Sequence, residues 1–115
     1  MRMDEAVLLR IFLGEDDREH GHPTYRVLVD RARLAGMAGA TVLPGPVGFG
    51  PSGHMRSDIN IDAGPRSPIV VEIVDDEARI AAFLHEIEAL VETGLVTMEK
   101  VHAWRPGQKG VIQRA

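Results

Sequence analysis

Thr41-Val42-Leu43-Pro44-Gly45-Pro46-Val47-Gly48-Phe49-Gly50-Pro51-Ser52-Gly53-His54-Met55-Arg56 is the hinge of the chain. It opens as a strand and turns into a glycine- and proline-rich loop. One strand–helix unit precedes it, and a second of similar length and pattern follows. A long loop in the middle of a small domain is either functional or disordered. The hinge therefore divides the fold and is the first place to look for a site.

On its N-terminal side, Ala6 to Leu13 is apolar except for Arg10. Such a short continuous run reads as a strand buried on both faces. A polar loop follows, Gly14 to His22, carrying Glu15, Asp16, Asp17 and Glu19. Pro23 suits the first turn of a helix, where its missing N–H costs nothing. Tyr25, Leu28, Val29, Ala32 and Ala35 then recur on one helical face, and Gly36 or Gly39 supplies the stop. Ala40 to Val47 is a second strand, and Pro44 and Pro46 place it at a sheet edge because they cannot donate to a ladder.

On the C-terminal side, residues 48–67 form the long loop, with Ile59-Asn60-Ile61-Asp62 a candidate extended segment. Pro68 leads into a third strand, Ile69 to Val74, broken in polarity only by Glu72. Asp75 is the expected N-cap of a second helix, with Asp76 and Glu77 adding negative charge at its positive end. Ile80, Phe83, Leu84, Ile87, Leu90 and Val91 are that helix's apolar stripe, and Gly94 ends it. Val96 to Trp104 is a fourth strand, and residues 105–115 are expected to be a mobile tail. The order predicts one α+β domain over residues 1–104. It is a ferredoxin-like βαββαβ sandwich: a four-stranded antiparallel sheet with both helices on one face. Strands one and three, the most apolar, form the central pair.

That architecture leaves a sheet face without helices. Side chains alternate along a strand. If Arg10 and Glu72 point away from the helices, Leu8, Phe12, Val70 and Val74 point away with them. A contiguous apolar patch of that kind marks an interface. The expectation is burial by other copies of the chain, with Arg10 and Glu72 pairing across strands or across the subunit boundary; the alternative is that both are merely solvated.

Composition narrows the function. At 115 residues the chain has the length of one domain, and 44% apolar with 26% charged residues is a globular balance. A net charge of −4 argues against binding driven by nucleic-acid phosphates. The chain has 0 cysteines, which excludes disulfides, thiolate catalysis and Cys-type zinc sites and fits a cytoplasmic location. The first apolar run is too short to span a bilayer and lacks a signal-peptide cleavage pattern. No membrane insertion is expected.

Gly48-Phe49-Gly50-Pro51-Ser52-Gly53 matches G-x-G-x-x-G. A dinucleotide fingerprint needs a helix to open within the motif, and Pro51 with the polar run after Gly53 opens none. Glycine-rich backbone can still cradle phosphate as a nest of N–H groups; the bland alternative is a loop whose glycines allow tight turning. His20 and His22 beside acids are metal-ligand types, without a defined third ligand. Ser52 and Ser57 near His54 lack a nucleophile elbow. Arg105 and Lys109 in the tail could neutralise a phosphate.

Several stretches, in order, carry a resemblance: Leu9-Arg10-Ile11-Phe12-Leu13-Gly14-Glu15, Asp17-Arg18-Glu19-His20-Gly21-His22-Pro23-Thr24-Tyr25, Ala38-Gly39-Ala40-Thr41-Val42, Gly48-Phe49-Gly50, Pro68-Ile69-Val70-Val71-Glu72-Ile73-Val74-Asp75, and Gly94-Leu95-Val96-Thr97-Met98-Glu99-Lys100-Val101. Over about residues 6–104 the chain resembles domain-of-unknown-function family one hundred and ninety. This is an uncharacterised branch of the PII-like (nitrogen-regulatory, GlnB-like) superfamily.

The resemblance implies a PII-like homotrimer with its sheets facing inward and an adenine nucleotide (AMP, ADP or ATP) in the clefts between subunits. Residues 48–67 would be the T-loop that contacts a partner protein. Gly45, Gly48, Phe49, Gly50, Arg56 and Arg105 are the implied nucleotide contacts, and Leu8, Arg10, Phe12, Val70, Glu72 and Val74 the oligomer face. Genes of this family often neighbour those for fluoride-exporter-type membrane proteins, so a membrane transport protein is the expected partner. The lysine-bearing phosphate loop of nitrogen-regulatory members has no counterpart, since Thr93-Gly94-Leu95 is the whole connection there. The resulting expectation is a cytoplasmic, non-enzymatic signalling sensor. The alternatives are a metal-responsive trimer using His20, His22 and nearby acids, and an enzyme acting in the intersubunit cleft.

Overall fold

The computed structural model describes residues 3–58 and 66–107. The elements are β1 (Asp4–Gly14), β2 (Arg18–Glu19), β3 (His22–Pro23), α1 (Thr24–Leu34), β4 (Thr41–Pro44), β5 (Val47–Phe49), β6 (Met55–Ser57), β7 (Pro68–Asp75), α2 (Glu77–Ile87) with a 3₁₀ turn (Glu88–Val91), and β8 (Leu95–Ala103). The main sheet is four-stranded in the order β4-β7-β1-β8, and every pairing is antiparallel. This is the expected ferredoxin-like α+β arrangement, with β1 and β7 central and the proline-bearing β4 at an edge.

Alternation on β1 and β7 builds the core. Val7, Leu9 and Ile11 of β1 and Ile69, Val71 and Ile73 of β7 are buried against Leu28 and Ala32 of α1 and Ile80, Phe83 and Ile87 of α2. The intervening residues Leu8, Arg10, Phe12, Val70, Glu72 and Val74 are half-buried on the opposite face. Arg10 lies directly opposite Glu72 in the β1–β7 register, and its Nε donates to Glu72 Oε2 at 2.8 Å. Glu99 of β8 stands 4.0 Å from the same guanidinium. The hydrogen bond to Glu72 holds the Arg10 guanidinium above its ordinary pKa, against a smaller opposing effect of burial.

Several element boundaries differ from expectation. The second strand stops at Pro44 instead of reaching Val47, because the chain turns at Gly45 and Pro46 and Val47 enters a separate hairpin. The segment 48–67 is therefore no open loop at its start: β5 and β6 pair as Val47↔Ser57, Gly48↔Arg56 and Phe49↔Met55. The proposed extended segment at 59–62 lies outside the described residues, as does the tail beyond Gly107. The polar loop after β1 contains a small hairpin of its own. His20 (φ 49) and Gly21 (φ 83) are its two central residues, and positive φ at both is the requirement of a type I′ turn.

The caps also shift. α2 is capped by Asp76, whose carboxylate accepts from Arg79 N at 2.8 Å, and not by Asp75. Asp75 is fully buried and accepts from Ala38 N (3.0 Å) and Asp76 N (2.7 Å), tying the α1–β4 connection to the start of α2. Arg79 adds a second tie by donating to Ala35 O at 2.5 Å. Of the two glycines offered as the stop of α1, Gly36 takes the role, with φ +70.

Gly94 is required for steric reasons. A Cβ there would stand 2.5 Å from the backbone oxygen of Phe12. Backbone of a central strand cannot move aside, so Gly94→Ala is expected to cost about 1–3 kcal/mol. A Cβ at Gly39 would meet no atom within 4 Å, so Gly39→Ala should stay within about 0.5 kcal/mol of the parent. Urea unfolding of the two variants checks the contrast.

Candidate functional site

The site is built where the central strands meet the hinge. β1 ends at Gly14 and β7 begins at Pro68, side by side in register. The chain leaves the sheet on both sides of the long segment here, and backbone hydrogen bonds close its base. Gly45 N donates to Pro68 O (2.8 Å), Asp58 N to Pro46 O (3.1 Å), and Glu15 N to Ser67 O (2.8 Å). Glu15 also accepts from Ser67 N through its side chain at 3.2 Å.

Hairpin β5–β6 rises from this base with two unlike faces, as period-two alternation requires. Gly48 and Arg56 lie on one face and Val47, Phe49, Met55 and Ser57 on the other. The Gly48 face packs inward: a Cβ there would be 3.5 Å from the Pro68 ring. The other face is open, with Val47 59%, Phe49 70% and Met55 59% exposed.

Arg56 anchors the inward face. Its Nε donates to Asp16 Oδ1 at 2.7 Å and its Nη2 to Asp17 Oδ1 at 3.2 Å. Asp17 uses its other oxygen to accept from Gly14 N at 2.8 Å, which fixes the acidic turn on the end of β1. The Arg56 side chain is only 11% exposed. Gly14 makes the room, because a Cβ there would collide with the guanidinium and the carbon next to it. His54 Nε2 lies 3.9 Å from Asp16 Oδ2, a second basic group on the same carboxylate.

Between the hairpin, β1 and β7 lies a cleft of about 300 Å³. Gly45, Gly48, Phe49, Gly50 and Arg56 all line it, together with Phe12, Pro68 and Thr93. Five of the six nucleotide contacts expected from the sequence thus come together. Arg105 does not join them. It lines a separate hollow of about 480 Å³ on the open sheet face, with Leu8, Thr41, Glu72, Val74 and the Ala38–Ala40 turn.

Sequence reasoning offered Arg56 as a phosphate ligand and missed that Asp16 and Asp17 already hold it. The available signal was the acidic run Glu15-Asp16-Asp17, but nothing local says that its partner lies about forty positions away. His20 is highly exposed and 3.2 Å from Glu19 Oε1. Among the described residues no three His, Asp or Glu side chains gather to hold a metal ion.

With this geometry in place, comparison with known proteins gives a consistent family picture. Residues 6–103 match the family DUF190, described as "Uncharacterized ACR, COG1993". The chain is 40% identical over 101 residues to a UPF0166 protein of Aquifex aeolicus (strain VF5), covering 88% of this chain and 95% of the relative. Among solved structures it is similar to CPII, a nitrogen regulatory PII-like protein from Thiomonas intermedia K12 bound to ADP, AMP and bicarbonate. The TM-score is 0.70 and the identity 19%, over 91% of this chain and 93% of that one. A putative PII-like signaling protein from Thermus thermophilus superposes with a TM-score of 0.67 at 17% identity, over 90% and 93%. The fold is PII-like.

The Asp16–Arg56 contact has a pH signature. Burial pushes the Asp16 carboxyl up, but the Arg56 hydrogen bond, a backbone hydrogen bond and the charges of Arg56 and His54 together outweigh it and leave its pKa below the usual value. A depressed folded-state pKa means that the contact contributes fully above the ordinary carboxylate range and is lost as pH falls through the lowered value. A carboxyl-carbon NMR titration should place the Asp16 midpoint below that range, and Arg56→Gln should return it.

Proposed function

The chain belongs to the DUF190 family, and on that footing we propose that it is a non-enzymatic, homotrimeric PII-like sensor that binds an adenine nucleotide in the cleft between subunits. The nucleotide orders the segment 48–67, which regulates a partner protein. The observation that carries this is the cleft at the base of hairpin β5–β6, walled by Gly45, Gly48 and Gly50. Glycine lets backbone approach a phosphate closely. At about 300 Å³ the cleft is at the small end for a ligand pocket, as half of a shared site would be. The Arg105 hollow on another subunit supplies the second half. The ADP and AMP held by the Thiomonas protein on the same fold support an adenine nucleotide as the ligand class.

The open sheet face supports the trimer. Leu8, Phe12, Val70 and Val74 form an apolar surface around the Arg10–Glu72 pair, and Leu43 (46% exposed) and Leu95 (49% exposed) extend it. Burying such a surface against other copies removes apolar area from water. Pairing Arg10 with Glu72 inside each subunit spares both charges an unpaired burial. The partner surface is the outward face of the hairpin, Val47, Phe49 and Met55, and the partner expected of this family is a membrane transport protein met from the cytoplasm. Among the described residues no helix is long and apolar enough to cross a membrane.

Two measurements test this. Calorimetry with AMP, ADP and ATP, with and without magnesium, should show binding of at least one; no heat from any at millimolar ligand removes the nucleotide. Sedimentation should give a trimer, and Leu8→Asp should convert it to a monomer that retains its far-ultraviolet spectrum. A stable wild-type monomer contradicts the assignment of the open face.

A further inference from the structure

Arg56 is the cationic side chain in the wall of the glycine-lined cleft, yet it is already committed to Asp16 and Asp17. Guanidinium groups bind phosphate and carboxylate through the same N–H fork. The two kinds of anion therefore compete for one side chain. A terminal phosphate carries about −1.5 to −2 charge near neutral pH, more than either carboxylate. Entering the cleft, it also meets two aspartates close by that repel it. The acidic turn is fixed on the end of β1, so the repulsion is relieved when Arg56 turns to the phosphate and the hairpin shifts away from the turn.

The hairpin moves with Arg56. β5 and β6 form a two-stranded sheet separate from the main one, and a lone two-stranded hairpin is marginal in water. Among the described residues nothing covers Val47, Phe49 and Met55 on its outward face, so its position rests on the base hydrogen bonds, the Gly48–Pro68 contact and the Arg56 ion pairs.

We propose that Arg56 with Asp16 and Asp17 is an anion-operated latch: a nucleotide's phosphate takes Arg56 from the two aspartates and so resets the position of hairpin β5–β6. This rests on the nucleotide reading above and adds how occupancy reaches the partner surface. Val47, Phe49 and Met55 sit on the same hairpin as Arg56, on its opposite face. Moving Arg56 between anions re-aims that apolar face, and the ligand shifts the equilibrium because it favours one latch state.

The test uses the intact chain and the variants Asp16→Asn and Gly14→Ala, with folding checked by circular dichroism. Asp16→Asn removes a competitor and a repulsive charge, so ADP (or whichever of the three nucleotides binds the parent) should bind roughly three- to tenfold tighter. In the parent, saturation with that nucleotide should move the Asp16 carboxyl titration upward. Gly14→Ala displaces the guanidinium while leaving both carboxylates, so it should move the Asp16 titration upward without any nucleotide. Equal or weaker binding by Asp16→Asn, while the parent binds, overturns the latch and leaves the nucleotide reading standing. An unchanged Asp16 titration in Gly14→Ala overturns it without reference to nucleotide. Absence of binding by both the parent and Asp16→Asn overturns the nucleotide reading, and operation of the latch by a nucleotide falls with it.

Discussion

The structure depends on the alternation of side chains along two adjacent strands. β1 and β7 send Val7, Leu9, Ile11, Ile69, Val71 and Ile73 to one side, and two helices cover that side. The same alternation sends Leu8, Phe12, Val70 and Val74 to the other, where the described residues supply no second layer. A ferredoxin-like sandwich has two layers and so three faces, of which only the middle one is a core. An apolar third face is the feature on which the proposed assembly rests. The Arg10–Glu72 pair is what such a face requires if it carries charge at all, because two groups that satisfy each other across one register position can be covered without either being stranded.

The strand ends turn this plan into a site. Since β1 and β7 are antiparallel neighbours, the end of β1 at Gly14 and the start of β7 at Pro68 are adjacent. Whatever follows β1 therefore meets whatever precedes β7. Glu15 reaches Ser67, and Asp16 and Asp17 reach Arg56. The acidic turn thus stands beside the long segment because of sheet topology, although the sequence places them far apart. Gly14 and Gly48 are small where the chain crowds, one under the Arg56 guanidinium and the other against the Pro68 ring.

This also explains which features were legible in the sequence. Periods of two and of about three and a half residues are local, so both helices, all four main strands, their order and the orphaned sheet face could be read from apolar spacing. Arg10 and Glu72 stood out as lone charges in apolar strands, and that contrast foretold their pairing. The hairpin β5–β6 could not be read the same way. Val47-Gly48-Phe49 and Met55-Arg56-Ser57 are each three residues long, too short for a period to show. The capping role went to Asp76 and not Asp75 for a similar reason: the sequence offers both, and the choice follows from the distant Ala38 N–H that Asp75 must satisfy in the core. The glycines and Arg56 line one cleft because they are close in sequence. The aspartates that hold Arg56 were not, because their proximity is tertiary.

A hairpin held by charges has different physics from one held by apolar packing. Apolar burial is indifferent to which small anion is present, whereas an ion pair is sensitive to any competing charge within reach. Asp16 and Asp17 are about a quarter to a third exposed, so their release to water is cheap compared with that of a fully buried pair. Held more weakly, the hairpin would have no defined resting position; packed on its apolar face, it would have no free surface to offer. A hairpin tied by a cationic side chain that both meets an acidic turn and lines a cleft lies between these limits. The Arg105 hollow is on a different part of the subunit, so both hollows could hold one nucleotide only if a second chain supplied one of them. A ligand shared between two chains in that way would couple the open sheet face of one to the hairpin of the other.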